Sequence, residues 1–244
     1  ASNKVSYSKR RKYLLGDELD SVTNYPYRDI ISNFLNEEIS SKDFYKVIMS
    51  IKENYPRENF YANMNLLGNH DTERILTVLK ENLNKLKLAL CLQMTLPGVP
   101  LIYYGDEAGL CGFTDPDNRR TYPWGRENRD LINFYREMIQ IHRKSLALRK
   151  GSIKMLKAEP DLLAYGRFWG NEQIVVIINN SDHLKEVRVP VWQAEVAEGH
   201  NMARVMYSYE DGYIGEFEEY IVKEGNISLM MGKKSAIVLK NKKW

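Results

Sequence analysis

The sequence predicts a chain of mixed fold class, with an α/β part over residues 1–148 and an all-β part over residues 149–244. In the first part, short apolar runs alternate with longer segments whose apolar residues recur at helical spacing. In the second part, brief β-rich runs are separated by turn residues, mostly Gly and Asn. Strands that alternate with helices are typical of a parallel sheet, whereas closely spaced strands and turns are typical of an antiparallel one.

The α/β part contains three predicted strands, in the apolar runs at residues 19–25, 60–67 and 99–104. Helical spacing places side chains on common faces in three further segments: Phe44, Val47, Ile48 and Ile51; Leu83, Leu86, Leu90 and Met94; and Leu131, Phe134, Tyr135, Met138, Ile141 and His142. A parallel sheet of three strands would leave its edges and an apolar face uncovered. We therefore expect either that the chain is a fragment or that something else completes its sheet.

The all-β part is predicted to form a small antiparallel β-sandwich. Its predicted strands lie at residues 162–169, 173–178, 187–191, 213–222 and 235–239. Turn pairs such as Gly170-Asn171 and Asp211-Gly212 separate them. Since no internal repeat or low-complexity linker divides the chain, we expect the two parts to pack directly together.

Composition excludes several classes of protein. The 244 residues are 43% hydrophobic, which supports a sizeable core. Lys and Arg (35) exceed Asp and Glu (32) by only three and are mostly scattered, so neither a nucleic-acid nor a membrane partner is implied. No stretch approaches the roughly 20 apolar residues that span a bilayer. Cys91 and Cys111 form no metal spacing and no disulfide framework, which favours reducing surroundings and a cytoplasmic location.

The strongest candidate for chemistry is the triplet Asn69-His70-Asp71, which follows the apolar run 60–67. Active sites of α/β barrels lie where the strands end, so polar groups at this point are candidate site residues. A plain alternative is a helix N-cap at Asp71 with Glu73 in the first turn. Arg74 is open to two interpretations, a partner for a site carboxylate or a structural ion pair.

Four ordered stretches carry a family resemblance: GDELDSVTNYP at 16–26, GNHDTER at 68–74, PGVPLIYYGDE at 97–107 and DPDNRR at 115–120. In these stretches the chain resembles the C-terminal part of the α-amylase family of glycoside hydrolases, closest to its neopullulanase, cyclomaltodextrinase and maltogenic amylase branch. The resemblance implies about strands 6 to 8 of a TIM (β/α)8 barrel followed by an antiparallel β-sandwich domain. It also implies hydrolysis of α-glucosidic bonds in starch-derived oligosaccharides.

Residue by residue, the resemblance makes Asp71 the third catalytic carboxylate, which stabilises positive charge on the sugar ring without acting as nucleophile or acid. His70 and Asn69 would bind the substrate beside it, and His70 can hydrogen-bond a sugar hydroxyl. Asp115 and Arg119 match positions that hold the next glucose. No cofactor and no metal are expected.

The sequence also departs from the family pattern. The nucleophilic Asp and the acid Glu should lie upstream of Gly16, and neither is found here. Because a retaining glycosidase needs both groups, we expect the chain alone to be inactive. The implied partners are an α-glucan oligosaccharide, the missing N-terminal barrel portion and a second copy of the chain. Two alternatives stay open: a non-catalytic carbohydrate-binding or assembly module, and a relative with another specificity.

Overall fold

A computed structural model describes residues 18–241, together with the backbone of two short strands near the N-terminus. Gly16 and Asp17, which open the first of the four stretches, lie outside the described residues. The helices are α1 Tyr25–Leu35, α2 Ser41–Asn54, α3 Arg57–Ala62, α4 Ile75–Val78, α5 Leu83–Thr95, α6 Arg129–Lys144 and α7 Leu146–Lys150. The strands are β1 Val5–Ser6, β2 Lys9–Arg10, β3 Met64–Leu66, β4 Val99–Leu101, β5 Ser152–Glu159, β6 Leu162–Trp169, β7 Glu172–Asn179, β8 Lys185–Val189, β9 Asn201–Tyr209, β10 Gly212–Ile214, β11 Glu219–Ile221, β12 Ile227–Met231 and β13 Ser235–Asn241.

The three predicted strands of the first part lie side by side and parallel. Thr23 forms a parallel bridge with Met64, and β3 pairs with β4 in the register Met64↔Val99. The strands are shorter than predicted: Tyr25 already begins α1, where Pro26 favours helix initiation, and residues 60–62 belong to α3. The prediction of a strand over 60–67 was therefore wrong in its first half.

Helices α2, α5 and α6 cover the segments in which helical spacing was found. Polar N-caps begin them: the Ser40 hydroxyl accepts from the Asp43 amide, and the Asn128 side chain accepts from the Leu131 amide. Helix α5 is buried on nearly all sides from Leu86 to Thr95, and only its first residue, Leu83, is substantially exposed. Among the described residues, no helix is long and apolar enough to cross a bilayer.

The second part forms two antiparallel sheets. The larger has the strand order β10-β9-β13-β7-β6-β5, with β11 also paired to β9, and the smaller pairs β8 with β12. The predicted run at 213–222 is split, because the exposed residues 215–218 separate β10 from β11. Strands β5, β9 and β12 were not predicted.

Both faces of the larger sheet are covered. Ile174 and Val176 belong to an apolar cluster that includes the helices, whereas Val175 and Ile177 belong to a second cluster shared with β8 and β12. Alternate residues of β7 thus point to opposite faces, as strand geometry requires. The helices and the antiparallel sheet share one core, which confirms the expectation that the two parts pack directly together.

A buried arginine joins the two parts. Arg167 of β6 is fully buried and donates to the carbonyls of Thr95, Leu148, Gly151 and Ser152. Most of these carbonyls lie at the ends of α5 and α7, where helices leave acceptors unsatisfied and where a cation is favourable.

Candidate active site

The triplet Asn69-His70-Asp71 lies in a turn between β3 and α4. The Asn69 side chain accepts from the Asp71 amide at 3.0 Å, and the Asn69 amide donates to the Thr72 hydroxyl at 3.0 Å. Such hydrogen bonds between a side chain and a backbone or side-chain group two or three residues away stabilise a turn and compete with helix formation. Helix α4 begins only at Ile75. Asp71 is therefore not a helix N-cap, and the plain alternative for this residue is excluded.

The Asp71 carboxylate contacts two side chains that come from different elements, and one of them, Tyr25, donates a hydrogen bond to it. Its Oδ2 lies 3.1 Å from the Tyr25 hydroxyl, and its Oδ1 lies 3.1 Å from His70 Nε2. The Tyr25 oxygen in turn accepts from Asn69 Nδ2 at 2.7 Å. More than half of the Asp71 and His70 side chains is exposed, at 55% and 60%. The carboxylate is thus oriented by the protein and open to a ligand.

Asp115 and Arg119 reach the same area from the loop after β4. Arg119 Nε lies 2.9 Å from Asp115 Oδ1 and donates to the His70 carbonyl at 3.3 Å. The five residues singled out from the sequence therefore come together on one surface, although 44 residues separate Asp71 from Asp115 along the chain. A carboxylate and a guanidinium at this position can hydrogen-bond several hydroxyl groups of a sugar.

Two supporting residues were not identified from the sequence. Tyr25 holds the Asp71 carboxylate, as described above. Asn118 is fully buried, and its Nδ2 donates to the carbonyls of His70 at 2.9 Å and Thr72 at 2.8 Å, on either side of Asp71. Tyr25 is the last residue of the predicted strand 19–25, and this position at a strand end could have indicated it. Nothing in the run DPDNRR distinguishes Asn118 from an ordinary loop residue.

Arg74 has a structural role beneath this surface. It is fully buried and pairs with the buried Asp106 at 3.0 Å, and its Nε donates to the Asn118 carbonyl at 2.8 Å. Its guanidinium lies 4.0 Å from the ring centroid of Tyr103 and 4.6 Å from that of Tyr104, within the range of cation–π contacts. Burial raises the pKa of Asp106 to about 7, against the opposing effect of Arg74. Of the two interpretations of Arg74, the structural ion pair is therefore the correct one.

The arrangement offers carboxylates and imidazole but no metal cluster. Within residues 18–241, no group of three His, Cys, Asp or Glu side chains could hold a metal ion. Asp17, part of an acidic cluster with Glu18 and Asp20 in the sequence, lies outside the described residues. Trp124 is 79% exposed and packs against Tyr122, with ring centroids 4.5 Å apart.

Comparison with known proteins assigns the chain to a class and then to a family. A family model described as "Alpha amylase, catalytic domain" matches residues 3–213. By this resemblance the chain falls in the class of glycoside hydrolases. It belongs to the α-amylase family, as the four stretches of sequence suggested.

Two of three curated relatives carry names from the neopullulanase and cyclomaltodextrinase branch. A cyclomaltodextrinase of Geobacillus thermopakistaniensis is 36% identical over a region that covers 73% of this chain and 31% of that protein. Neopullulanase 2 of Thermoactinomyces vulgaris is 38% identical, with coverage of 73% and 32%. An amylopullulanase of Thermoanaerobacter thermohydrosulfuricus is 35% identical, with coverage of 93% and 17%. The chain thus spans a third or less of the length of these relatives.

Solved structures of related enzymes superpose on this chain. A structure titled "Cyclomaltodextrinase" superposes with a TM-score of 0.79 at 28% identity and covers 93% of this chain and 38% of that one. An α-amylase of Anoxybacillus superposes with a TM-score of 0.79 at 25% identity and covers 93% and 48%. The fold of this chain is therefore that of a portion of these α-amylase family enzymes.

Proposed function

We propose that this chain supplies part of the active site of a retaining α-glucan hydrolase of the neopullulanase and cyclomaltodextrinase type. The observation that carries the proposal is the exposed Asp71 carboxylate, oriented by His70 and Tyr25 where two neighbouring parallel segments end. The names of the relatives, cyclomaltodextrinase and neopullulanase, support starch-derived oligosaccharides as substrates.

The chemistry proposed for the site follows from the transition state of glycosidic cleavage. The sugar ring acquires oxocarbenium-like positive charge, which a nearby carboxylate stabilises. Asp71 would provide this carboxylate, while the exposed His70 and Asn69 bind hydroxyl groups of the same ring. Arg119, which donates to the His70 carbonyl, and Asp115, which pairs with Arg119, would hold the next glucose.

The proposal also assigns the chain a place in a larger fold. Thr23, β3 and β4 would correspond to strands 6 to 8 of a TIM barrel in residues 1–148, and residues 149–244 to the β-sandwich that follows it. The side chains of Val99 and Leu101 on β4 are 50% and 38% exposed, although parallel strands normally bury both faces. The missing barrel portion would cover them and would supply the nucleophile and the acid.

Two measurements test this assignment. The 244-residue chain alone should not hydrolyse β-cyclodextrin at a detectable rate. A chimera in which residues 18–241 replace the matching region of the cyclomaltodextrinase whose structure covers 93% of this chain should hydrolyse it. In that chimera, Asp71→Asn should lower kcat by about three orders of magnitude or more. Glu53→Gln, an exposed carboxylate on α2, is the matched control and should leave kcat unchanged. A folded chimera whose rate does not depend on Asp71 would contradict the proposal.

A further inference from the structure

A groove outside the candidate active site lies between the helices and the antiparallel sheet. The first turns of α5 and α6 form two of its sides, and the turn between β9 and β10 forms the third. Its volume is about 370 Å³, within the range of small-molecule sites. It shares no lining residue with the surface around Asp71.

The groove has an apolar side built from aromatic and aliphatic groups. Phe134 is fully buried, and the ring of the half-buried Tyr213 packs against it with centroids 5.1 Å apart. Leu83, at the start of α5, is 41% exposed and lines the same space. Tyr213 and Leu83 thus offer an apolar surface to a ligand without any rearrangement of the core.

A buried lysine fixes the third side of the groove. Lys87 is 8% exposed, and its ammonium donates to the carbonyls of Tyr209 at 2.6 Å and Gly212 at 3.0 Å, in the turn between β9 and β10. These bonds hold the turn against α5, so the groove is formed before any ligand arrives. Preformed sites lose less entropy when they bind a ligand.

The rim of the groove is polar and acidic. The side chains of Asn84, Asp130 and Asp211 line it, and none of them makes a hydrogen bond or an ion pair with another residue of the part that the structure describes. Their amide and carboxylate groups can therefore bind hydroxyl groups of a ligand. Three carboxylates line the groove, those of Asp130, Asp211 and the Lys233-paired Glu210, against one ammonium, that of Lys87, which already donates to backbone carbonyls. This balance disfavours phosphates and other anions.

We propose that this groove is a second α-glucan site, in which Tyr213 and Leu83 contact the apolar face of a sugar ring and the rim binds its hydroxyl groups. The combination of an apolar wall and a rim of hydrogen-bonding groups matches a neutral polyhydroxylated ligand. The choice of an α-glucan among such ligands rests on the proposed function. The site would hold a glucan chain without cleaving it.

Calorimetric titration of the 244-residue chain with maltoheptaose at millimolar concentrations tests the proposal. Tyr213→Ala removes the aromatic wall, and Leu83→Arg fills the groove from its exposed side without disturbing the core. Each should weaken binding at least tenfold. Trp192→Ala, which removes a 60% exposed tryptophan outside the groove, should leave the affinity within twofold of the wild-type value.

The other outcomes overturn the proposal. The proposal fails if the wild-type chain does not bind maltoheptaose, if only Asp71→Asn abolishes binding, or if Leu83→Arg still binds. If Tyr213→Ala does not fold, Leu83→Arg decides the question, since its substituted side chain is on the surface. These results are independent of the chimera's activity, so the second site can fail while the proposed hydrolase function stands, and the reverse.

Discussion

The larger antiparallel sheet and the parallel pair β3-β4 differ in how completely they bury their residues. In β7, a central strand between β6 and β13, all eight residues are buried. In β4, which pairs only with β3 within the described residues, both terminal residues are exposed. The larger antiparallel sheet is thus covered on both faces, whereas β4, beside the candidate site, is not. Stability and proposed chemistry are therefore concentrated in different regions of the chain.

Arg167 joins these regions, and its replacement is expected to have the largest effect on stability. Arg167→Met would leave the carbonyls of Thr95 and Leu148 without their donor at the junction of the two parts. We expect a loss of about 3 kcal/mol or more in the free energy of unfolding, measured by urea denaturation. Arg167→Lys keeps the charge but not the planar fork, and should lose less.

Arg167 is fully buried at this junction, and burial lowers the pKa of its guanidinium to about 10. A stability of Arg167→Met equal to that of the wild-type chain would mean that apolar contacts alone hold the two regions together. In that case Arg167 would not contribute to the stability of the junction between the regions.

A matched pair of substitutions compares the two sheets directly. Ile177 on β7 is fully buried between Ala164 and Ile237, and Ile177→Ala should cost about 2 to 4 kcal/mol through lost burial and a residual cavity. Val99→Ala on β4 removes a side chain that is 50% exposed and should cost less than about 1 kcal/mol. Equal losses in urea denaturation would contradict the difference between the sheets.

Much of the secondary structure could be predicted from periodicity, and the exceptions have a physical reason. Strand β6 has the predicted limits, and β7 and β13 differ from theirs by one or two residues, because dense apolar β-formers fill them. Strand β5 carries Lys154 and Lys157 among its apolar residues, so its alternation of buried and exposed positions is weak. The run from Phe60 to Ala62 is too short to separate a helix turn from a strand, and its position in α3 was missed.

The candidate site could be predicted only in part, because some of its residues are adjacent in the sequence and others are distant. Asn69, His70 and Asp71 are adjacent in sequence, so their position after a strand is visible without a structure. The contacts that orient them are not local. Tyr25 lies 46 residues before Asp71, and Asn118 lies 48 residues after His70. Such partners follow from the packing of strand ends, which the sequence pattern does not describe.

The buried pair beneath the site predicts that stability depends on pH. Burial raises the pKa of Asp106 from 3.8 to about 7. Between these values the folded chain binds more protons than the unfolded chain, so this group's contribution to stability falls as pH rises from about 4 to about 7. Asp106→Asn should remove that fall, whereas Glu53→Gln should not. Urea denaturation across this pH range measures it, and parallel profiles for wild type and Asp106→Asn would contradict it.

The exposed face of β4 predicts an effect on association and little effect on stability. An uncovered edge strand with apolar side chains favours pairing with another chain, and a lysine on such a strand opposes it. Leu101 is 38% exposed, so Leu101→Lys should change the free energy of unfolding by about 0.5 kcal/mol or less. In sedimentation velocity the variant should shift toward the monomer, while Leu184→Lys, an exposed leucine before β8, should not. If Leu101→Lys associates as strongly as the wild-type chain, the incomplete cover of the parallel segments does not drive self-association. The contrast between the two sheets would then concern stability alone.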